Sequence, residues 1–198
     1  MVDVTRLKQS SCMFAAMLAP DLTVRVEHHP TFTRYGFRGE LPLLWTERLA
    51  EGLAALGEDI AELRAERASG VWDVMVDVRG AGRVDVLHLL RDTPSRGRPS
   101  APHLLESFDV VRASDQSLEL SVRAEDRAGF LAFLLRELRT LALFPSHVSA
   151  RSRGALADDR LGLVSVGGAA PSEDTARALR SLLHTHTRVA PAVLRAIS

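Results

Sequence analysis

The 198-residue sequence predicts an α+β fold built from two consecutive βαββαβ modules, each an antiparallel sheet with helices packed on one face. Two observations predict it. Segments in which apolar and polar residues alternate, as in strands, are interspersed with segments whose leucines recur every three or four residues, as in amphipathic helices. The order of these segments then repeats along the chain, and a repeat is evidence about the whole fold.

The first predicted module covers residues 21–113 and follows an N-terminal extension of residues 1–20. Its predicted elements are a strand, a helix that starts with Pro42 in its first turn, a weak strand, a strong strand and a short helix: 22–28, 41–56, 58–67, 71–78 and 84–91. A polar, glycine-containing loop is expected at residues 29–39, and Gly57 is expected to end the first helix. Residues 93–102, rich in proline, are expected to form a surface loop.

The second predicted module covers residues 114–198. Its predicted elements are a strand, a strongly apolar helix, a weak strand, a stronger strand and a helix that opens at Pro171: 118–124, 130–143, 146–153, 160–166 and 171–183. Pro145 is expected to stop the apolar helix, since proline cannot continue one. Ser172 is a natural N-cap for the last helix. A further strand at 108–112 precedes this module.

Composition excludes several classes of protein. The 46% of hydrophobic residues is enough for a core without staples, and no stretch approaches the ~20 apolar residues of a membrane span. The 25 basic and 25 acidic residues cancel, so no general attraction to nucleic acid or to a membrane surface is expected. Cys12 is the only cysteine, which excludes an intrachain disulfide and a thiolate zinc site and makes a cytoplasmic location the expectation.

The second module is similar to ACT domains. Its first strand leads into Asp126-Arg127-Ala128-Gly129, where that family often has Asp-Arg-Pro-Gly; Ala128 departs from the pattern. Residues 143–151 and 158–164 are similar to the family's second and third strands. The resemblance is clearest over residues 117–190, and the first half resembles the family only by its order of elements. The whole chain resembles stand-alone tandem-ACT regulators with ferredoxin-like modules, such as the glycine cleavage system repressor class.

The resemblance implies a regulatory or sensor protein that binds a small metabolite, an amino acid first of all, where two modules meet. The residues it implies as ligand-binding are those of the turn and helix start, with two further candidates: Asp126, Arg127, Ala128, Gly129, Phe130, His147 and Gly39. A helix N-terminus attracts a carboxylate, and glycine lets a ligand approach the backbone. Asp126 is expected either to accept from a ligand ammonium or, preferably, to cap the helix.

A homo-oligomer is expected, and a protein partner is expected because the sequence shows no DNA-binding motif. Two alternatives stay open. The first is a small enzyme on the same scaffold, with the loop from Thr31 to Arg38 as a lid and a histidine or a carboxylate as the reactive group. His147 could form an acid–base pair with Asp158 or Asp159, although an exposed hairpin is the preferred interpretation of these residues. The second is a structural pairing module without a ligand.

No metal and no cofactor are expected. Two pairs of neighbouring histidines, His28 with His29 and His184 with His186, lack a third ligand at a telling spacing. No phosphate-binding loop, dinucleotide fingerprint, nucleophile elbow or metalloprotease motif is present in the sequence.

Overall fold

The computed structural model describes residues 22–80, 84–91 and 103–187, in which the predicted α+β class is confirmed. Within these ranges, eight strands form one antiparallel sheet in the order β1-β2-β4-β3-β7-β8-β6-β5, and four helices accompany it. The strands are β1 (Thr23–His28), β2 (Thr33–Gly39), β3 (Asp59–Ala68), β4 (Val71–Arg79), β5 (Leu105–Arg112), β6 (Leu118–Glu125), β7 (Leu143–Arg153) and β8 (Leu156–Ser165). The helices are α1 (Trp45–Ala55), α2 (Val86–Arg91), α3 (Phe130–Thr140) and α4 (Glu173–Thr185).

Each half of the chain runs ββαββα, so the expectation of two separate βαββαβ modules is not confirmed. The four strands of the first half lie in the order β1-β2-β4-β3, and those of the second half lie in the mirrored order β7-β8-β6-β5. The central strands β3 and β7 pair with each other and join the halves into one sheet. The predicted division between residues 113 and 114 falls between β5 and β6, which pair with one another.

The predicted loop at residues 29–39 is wrong over most of its length, because residues 33–39 form β2 between β1 and β4. Tyr35 and Phe37 are 3% and 2% exposed, while Arg34 and Arg38, which flank this pair, point to the other face. Residues 33–38 of the segment from Thr31 to Arg38 are therefore part of a paired sheet strand, so the segment is not the free loop that the enzyme alternative uses as a lid.

The halves are related by an internal twofold axis. Three pairs of equivalent elements start 85 positions apart: β2 and β6 (33 and 118), α1 and α3 (45 and 130), and β4 and β8 (71 and 156). The starts of the other three pairs differ from this spacing by one to three positions. The same spacing separates Arg64 from Ser149, which face each other at the centre of the β3–β7 pairing. The axis thus passes through the middle of the sheet, and α1 and α3 pack against each other above it.

One face of the sheet carries the core. Buried side chains from all four helices form a single cluster with the inward side chains of the strands. The predicted packing of the two tryptophans is confirmed: Trp45 and Trp72 meet edge to face with ring centroids 5.1 Å apart. The opposite face is charged, with Arg34 donating twice to Asp77 at 2.7 Å. The helices therefore cover only one side of the sheet, as predicted.

The observed start of α1 and the observed end of α3 differ from the predicted boundaries. Helix α1 begins at Trp45, whose N–H bonds to Pro42 O at 3.0 Å, so Pro42 lies in the turn before the helix. Helix α3 ends at Thr140, and Ala142 follows in a left-handed conformation (φ 53°). Pro145 does not stop this helix, because it lies in β7, beside an irregularity in its pairing with β8.

The N-cap predicted for α4 is confirmed, because the Ser172 hydroxyl accepts a hydrogen bond from Thr175 N at 3.1 Å. The predicted N-terminal extension of residues 1–20, the proline-rich loop at 93–102 and the tail after residue 187 lie outside the described residues.

Candidate functional site

A cleft opens on the helix side of the sheet, where the start of α3 meets the end of α1. Its walls come from both halves of the chain: Ala50, Leu53, Ala54, Glu58, Asp59 and Ile60 from the first, and Asp126, Arg127, Gly129–Ala132, Ala150–Ser152, Ala157 and Asp159 from the second. Four of the five turn residues that the sequence singles out therefore lie together here. Ala128 is not among the lining residues.

The start of α3 lines this cleft, and the Phe130 N–H there donates to Arg127 O at 3.0 Å. Gly129 is the N-cap residue and adopts a left-handed conformation (φ 86°) that side chains rarely take. No side chain caps the helix, and its first turn holds no acidic residue. The first N–H groups of a helix have no partner within it, and they carry the positive end of its dipole. An anionic group in the cleft would therefore be stabilised at this helix end.

Asp126 does not cap α3, so the preferred sequence interpretation of this residue is wrong. It precedes the cap position by three residues, and its own N–H bonds back to Ala155 O at 2.8 Å. Its carboxylate faces the first half instead, with Oδ2 4.0 Å from Arg79 Nη1. Asp126 is therefore a charged group of the cleft wall.

The first half contributes two more carboxylates at the same wall. Asp59 pairs with Arg79 at 3.0 Å, and burial, followed by the negative charge of Asp126, raises the pKa of Asp59 although Arg79 opposes this. Glu58 Oε2 is buried without a hydrogen-bond partner in the described structure. Arg79 thus bridges acids from both halves, which places the charged wall across their junction.

Asp159 is the most deeply buried acid of the cleft. It is 2% exposed and lies on β8 between Val122 of β6 and Ala150 of β7. Burial raises its pKa to about 7, and nearby Asp126 and Asp158 add to the rise, whereas a hydrogen bond from the Arg151 backbone opposes it. A carboxyl with such a pKa in a cleft is typical of functional sites.

From the sequence, Asp159 was considered only as an acid–base partner of His147. The sequence nevertheless contains a signal that Asp159 is buried. Asp158 and Asp159 are neighbours in a strand, and neighbouring strand residues point to opposite faces of the sheet. Since only one face is open, one of the two acids had to point into the core. The structure shows that Asp159 does so, and that Asp158 faces the charged side opposite Arg151.

The arginines around the cleft are already engaged. Arg127 Nη2 lies 2.8 Å from Glu125, and Arg151 Nη2 lies 2.6 Å from Glu62 on the open face of the sheet. Arg79 is held by Asp59. No described arginine or histidine forms an ion pair with Asp159. The ionised carboxylate of Asp159 therefore has no cationic partner among the described residues.

His147 and Gly39 lie away from the cleft. The His147 ring lies over Gly162 on the open face of the sheet, with Nε2 3.3 Å from Glu119 Oε2. It pairs across the strands with Gly162, whereas Asp158 and Asp159 lie further along β8, so the acid–base pair considered from the sequence is wrong. Gly39 ends β2 opposite Trp72 and does not line the cleft.

The histidine pairs have structural partners. His29 stacks on Phe32 at 4.3 Å, and His186 lies 3.7 Å from Glu137. Within residues 22–80, 84–91 and 103–187, no group of three or more histidine, cysteine or acidic side chains is placed to hold a metal ion.

Comparisons with protein-family models, with curated proteins and with solved structures find no match to this chain. None of the helices in the described ranges combines the length and the apolar character needed to cross a membrane.

Proposed function

We propose that this protein is a regulatory or sensor protein that binds a small amino acid in the cleft between its two halves. The observation that carries the proposal is that the turn from Asp126 to Phe130 meets Glu58 and Asp59 of the other half around one cavity. A ligand held there contacts both halves at once. Binding at a junction is a direct way to couple a ligand to the arrangement of a protein.

The charges of the cleft suit a zwitterion. The uncapped start of α3 favours a carboxylate. Asp126 and Asp159 favour an ammonium. A simple anion would satisfy only the first set and a simple cation only the second, whereas an amino acid satisfies both.

The size of the cleft favours a small ligand. Its empty volume is about 440 Å³ when the open mouth is included, and its cavity volume is about 40 Å³. The smaller figure corresponds to roughly three ordered water molecules. The charged backbone atoms of an amino acid are of that size, and a longer side chain would extend through the mouth. We expect the output to pass to a partner protein, with a homo-oligomer as the working form.

A thermal-unfolding screen against the twenty amino acids tests the proposal. At least one small amino acid is expected to raise the unfolding midpoint in a concentration-dependent way, because a ligand that binds only the folded state stabilises it by mass action. Gly129→Val is expected to remove this rise, because a Cβ at Gly129 points to Ala54 across the cleft, 3.6 Å from its Cβ.

Gly70→Val is the matched control for backbone strain. Gly70 has a similar left-handed conformation (φ 83°), with nothing within 4 Å of an added Cβ, and lies in the β3–β4 turn at the far end of β3. It is expected to lower the midpoint by a similar amount and to keep the ligand response. Ala54→Leu fills the cleft from α1 without backbone strain and serves if Gly129→Val does not fold. A full response in both cleft variants would contradict the proposed site.

A further inference from the structure

The internal twofold axis allows each residue of the cleft to be compared with its counterpart in the other half. Asp159 and Val74 are such counterparts, 85 positions apart (74 and 159). The strand pairings agree with this assignment: Val74 faces Phe37 and Ala65, while Asp159 faces Val122 and Ala150, and each of these partners is again shifted by 85. Both residues are 2% exposed.

Several other cleft residues, including the acid and the glycine of the turn before α3, have apolar counterparts. Leu41 is the counterpart of Asp126, Leu44 that of Gly129, and Trp72 that of Ala157. Trp72 is 5% exposed, and its indole packs on that of Trp45. The positions related to Ala157 and Asp159 by the twofold axis are therefore filled by Trp72 and Val74. The counterpart of Ala132 is the buried carboxylate Glu47, which already has a cationic partner in Arg139 at 3.1 Å.

The difference between the two halves indicates which buried side chains the fold requires. The same sheet position is occupied by valine in one half and by aspartate in the other, so the fold itself does not require the acid. A buried carboxylate without a cationic partner lowers stability. A residue kept at such a cost, lining a cavity, is expected to serve a ligand.

The side chains around Asp159 determine the charge of the group that could pair with it. Asp159 shares the cleft with Asp126, and the arginines nearby are engaged with Glu125, Glu62 and Asp59. The group that would neutralise Asp159 is a cation, and it must fit a cavity of about 40 Å³. A primary ammonium group fits this space and can donate hydrogen bonds to two carboxylates at once.

We propose that Asp159 binds the ammonium group of the ligand, with Asp126 as second acceptor, and that each chain has a single such site because Trp72 and Val74 occupy the twofold-related position. The proposal rests on the proposed function and adds to it the group that is recognised and the number of sites. It also assigns a binding role to a residue outside the turn that the family resemblance implied.

The test uses the isotope-labelled full chain and follows its backbone amide resonances at about pH 8, where Asp159 is ionised. The probe is methylammonium chloride, and tetramethylammonium chloride is the control cation without N–H donors. Wild type and Asp158→Asn are expected to show saturable shifts at the cleft with methylammonium only. Asp159→Asn is expected to bind at least about tenfold more weakly, because a charge-assisted hydrogen bond is lost.

Asp158→Asn is the matched control, since it removes the same charge from the adjacent residue on the opposite face of β8. If Asp159→Asn does not fold, Ala157→Leu is the second variant, because it fills the cleft and keeps the carboxylate. An absent response in wild type, or an unchanged one in the folded Asp159→Asn or Ala157→Leu, would overturn the assignment. A second group of shifts with equal affinity around Val74 would overturn the single site.

A parallel titration with glycine distinguishes this inference from the proposed function. Binding of methylammonium without binding of glycine or any other amino acid supports the ammonium site and overturns the amino-acid sensor. Binding of glycine that is equally strong in wild type and Asp159→Asn supports the sensor and overturns the role of Asp159.

Discussion

Asp159→Asn is expected to be more stable than wild type at about pH 8, by on the order of 4 kcal/mol, and to differ little from it at about pH 4. The folded pKa of Asp159 is about 7, against an unfolded value near 3.9. Between these values folding takes up a proton, so the free energy of unfolding of wild type falls as the pH rises. Above about pH 7 the full loss is present. Asparagine has no proton to exchange and removes this slope.

Other groups near Asp159 affect the size of this slope but not its sign. Asp126 in the turn before α3 and Asp158 on β8 repel the ionised form, and the Arg151 backbone hydrogen bond on β7 favours it. Glu58 and Asp59 face the cleft from the first half. All of these remain in the variant, so they largely cancel when the two proteins are compared.

Urea unfolding of both proteins across this pH range measures the effect. Asp158→Asn is the control, because it removes one charge from the same strand but not from the cleft. Its curve is expected to keep the fall with pH seen in wild type, slightly reduced because the charge of Asp158 adds to the raised pKa of Asp159. If the curves for wild type and Asp159→Asn were parallel, Asp159 would not be the buried acid that the structure describes.

Leu49→Ala and Leu134→Ala are each expected to lower the free energy of unfolding by about 2–5 kcal/mol. Both side chains are 0% exposed, and they occupy twofold-related positions in α1 and α3 (49 and 134). Since both halves share one sheet and one core, both substitutions are expected to shift the same single unfolding transition. Calorimetry of the wild type and both variants measures this.

Leu56→Ala is the control for this pair, because Leu56 follows α1 and is 59% exposed. Its effect is expected to stay within about 0.5 kcal/mol. Two separate transitions, each lowered by only one of the core substitutions, would mean that the halves fold independently, as tandem modules would.

The positions of the helices and strands along the chain were predicted more accurately than their arrangement in the sheet. Alternation and leucine spacing report on the environment of each segment, so β1, β4, β6 and the helices were placed close to their observed positions. The strand β2 was missed because Gly36 and Gly39 lie among its polar residues and resemble loop chemistry, although Tyr35 and Phe37 alternate with arginines as a half-buried strand requires. Here the stronger signal was the aromatic alternation.

The junction of the two halves could not be predicted from local patterns. The residues of β3 and β7 that face the open side are charged or polar, as in Glu62, Arg64 and His147, and such strands read as weak or as edges. Their pairing depends on a twofold arrangement of the whole chain. The cleft was missed for the same reason, because it joins residues 58–60 to a turn far along the chain. The turn itself was found, because its glycine and helix start are local features.

The twofold axis through Arg64 and Ser149 has a consequence for how the sequence can change. In an assembly of two identical chains, a single substitution appears at both twofold-related positions, so a destabilising carboxylate would have to be accepted twice. Within one chain the two positions are encoded separately. One copy is free to gain aspartate at position 159 while the other retains valine at position 74, and the second copy can then compensate with a tryptophan-filled core. In such a chain one half can hold a destabilising acid while the other half supplies stability, whereas each subunit of a symmetric dimer must do both.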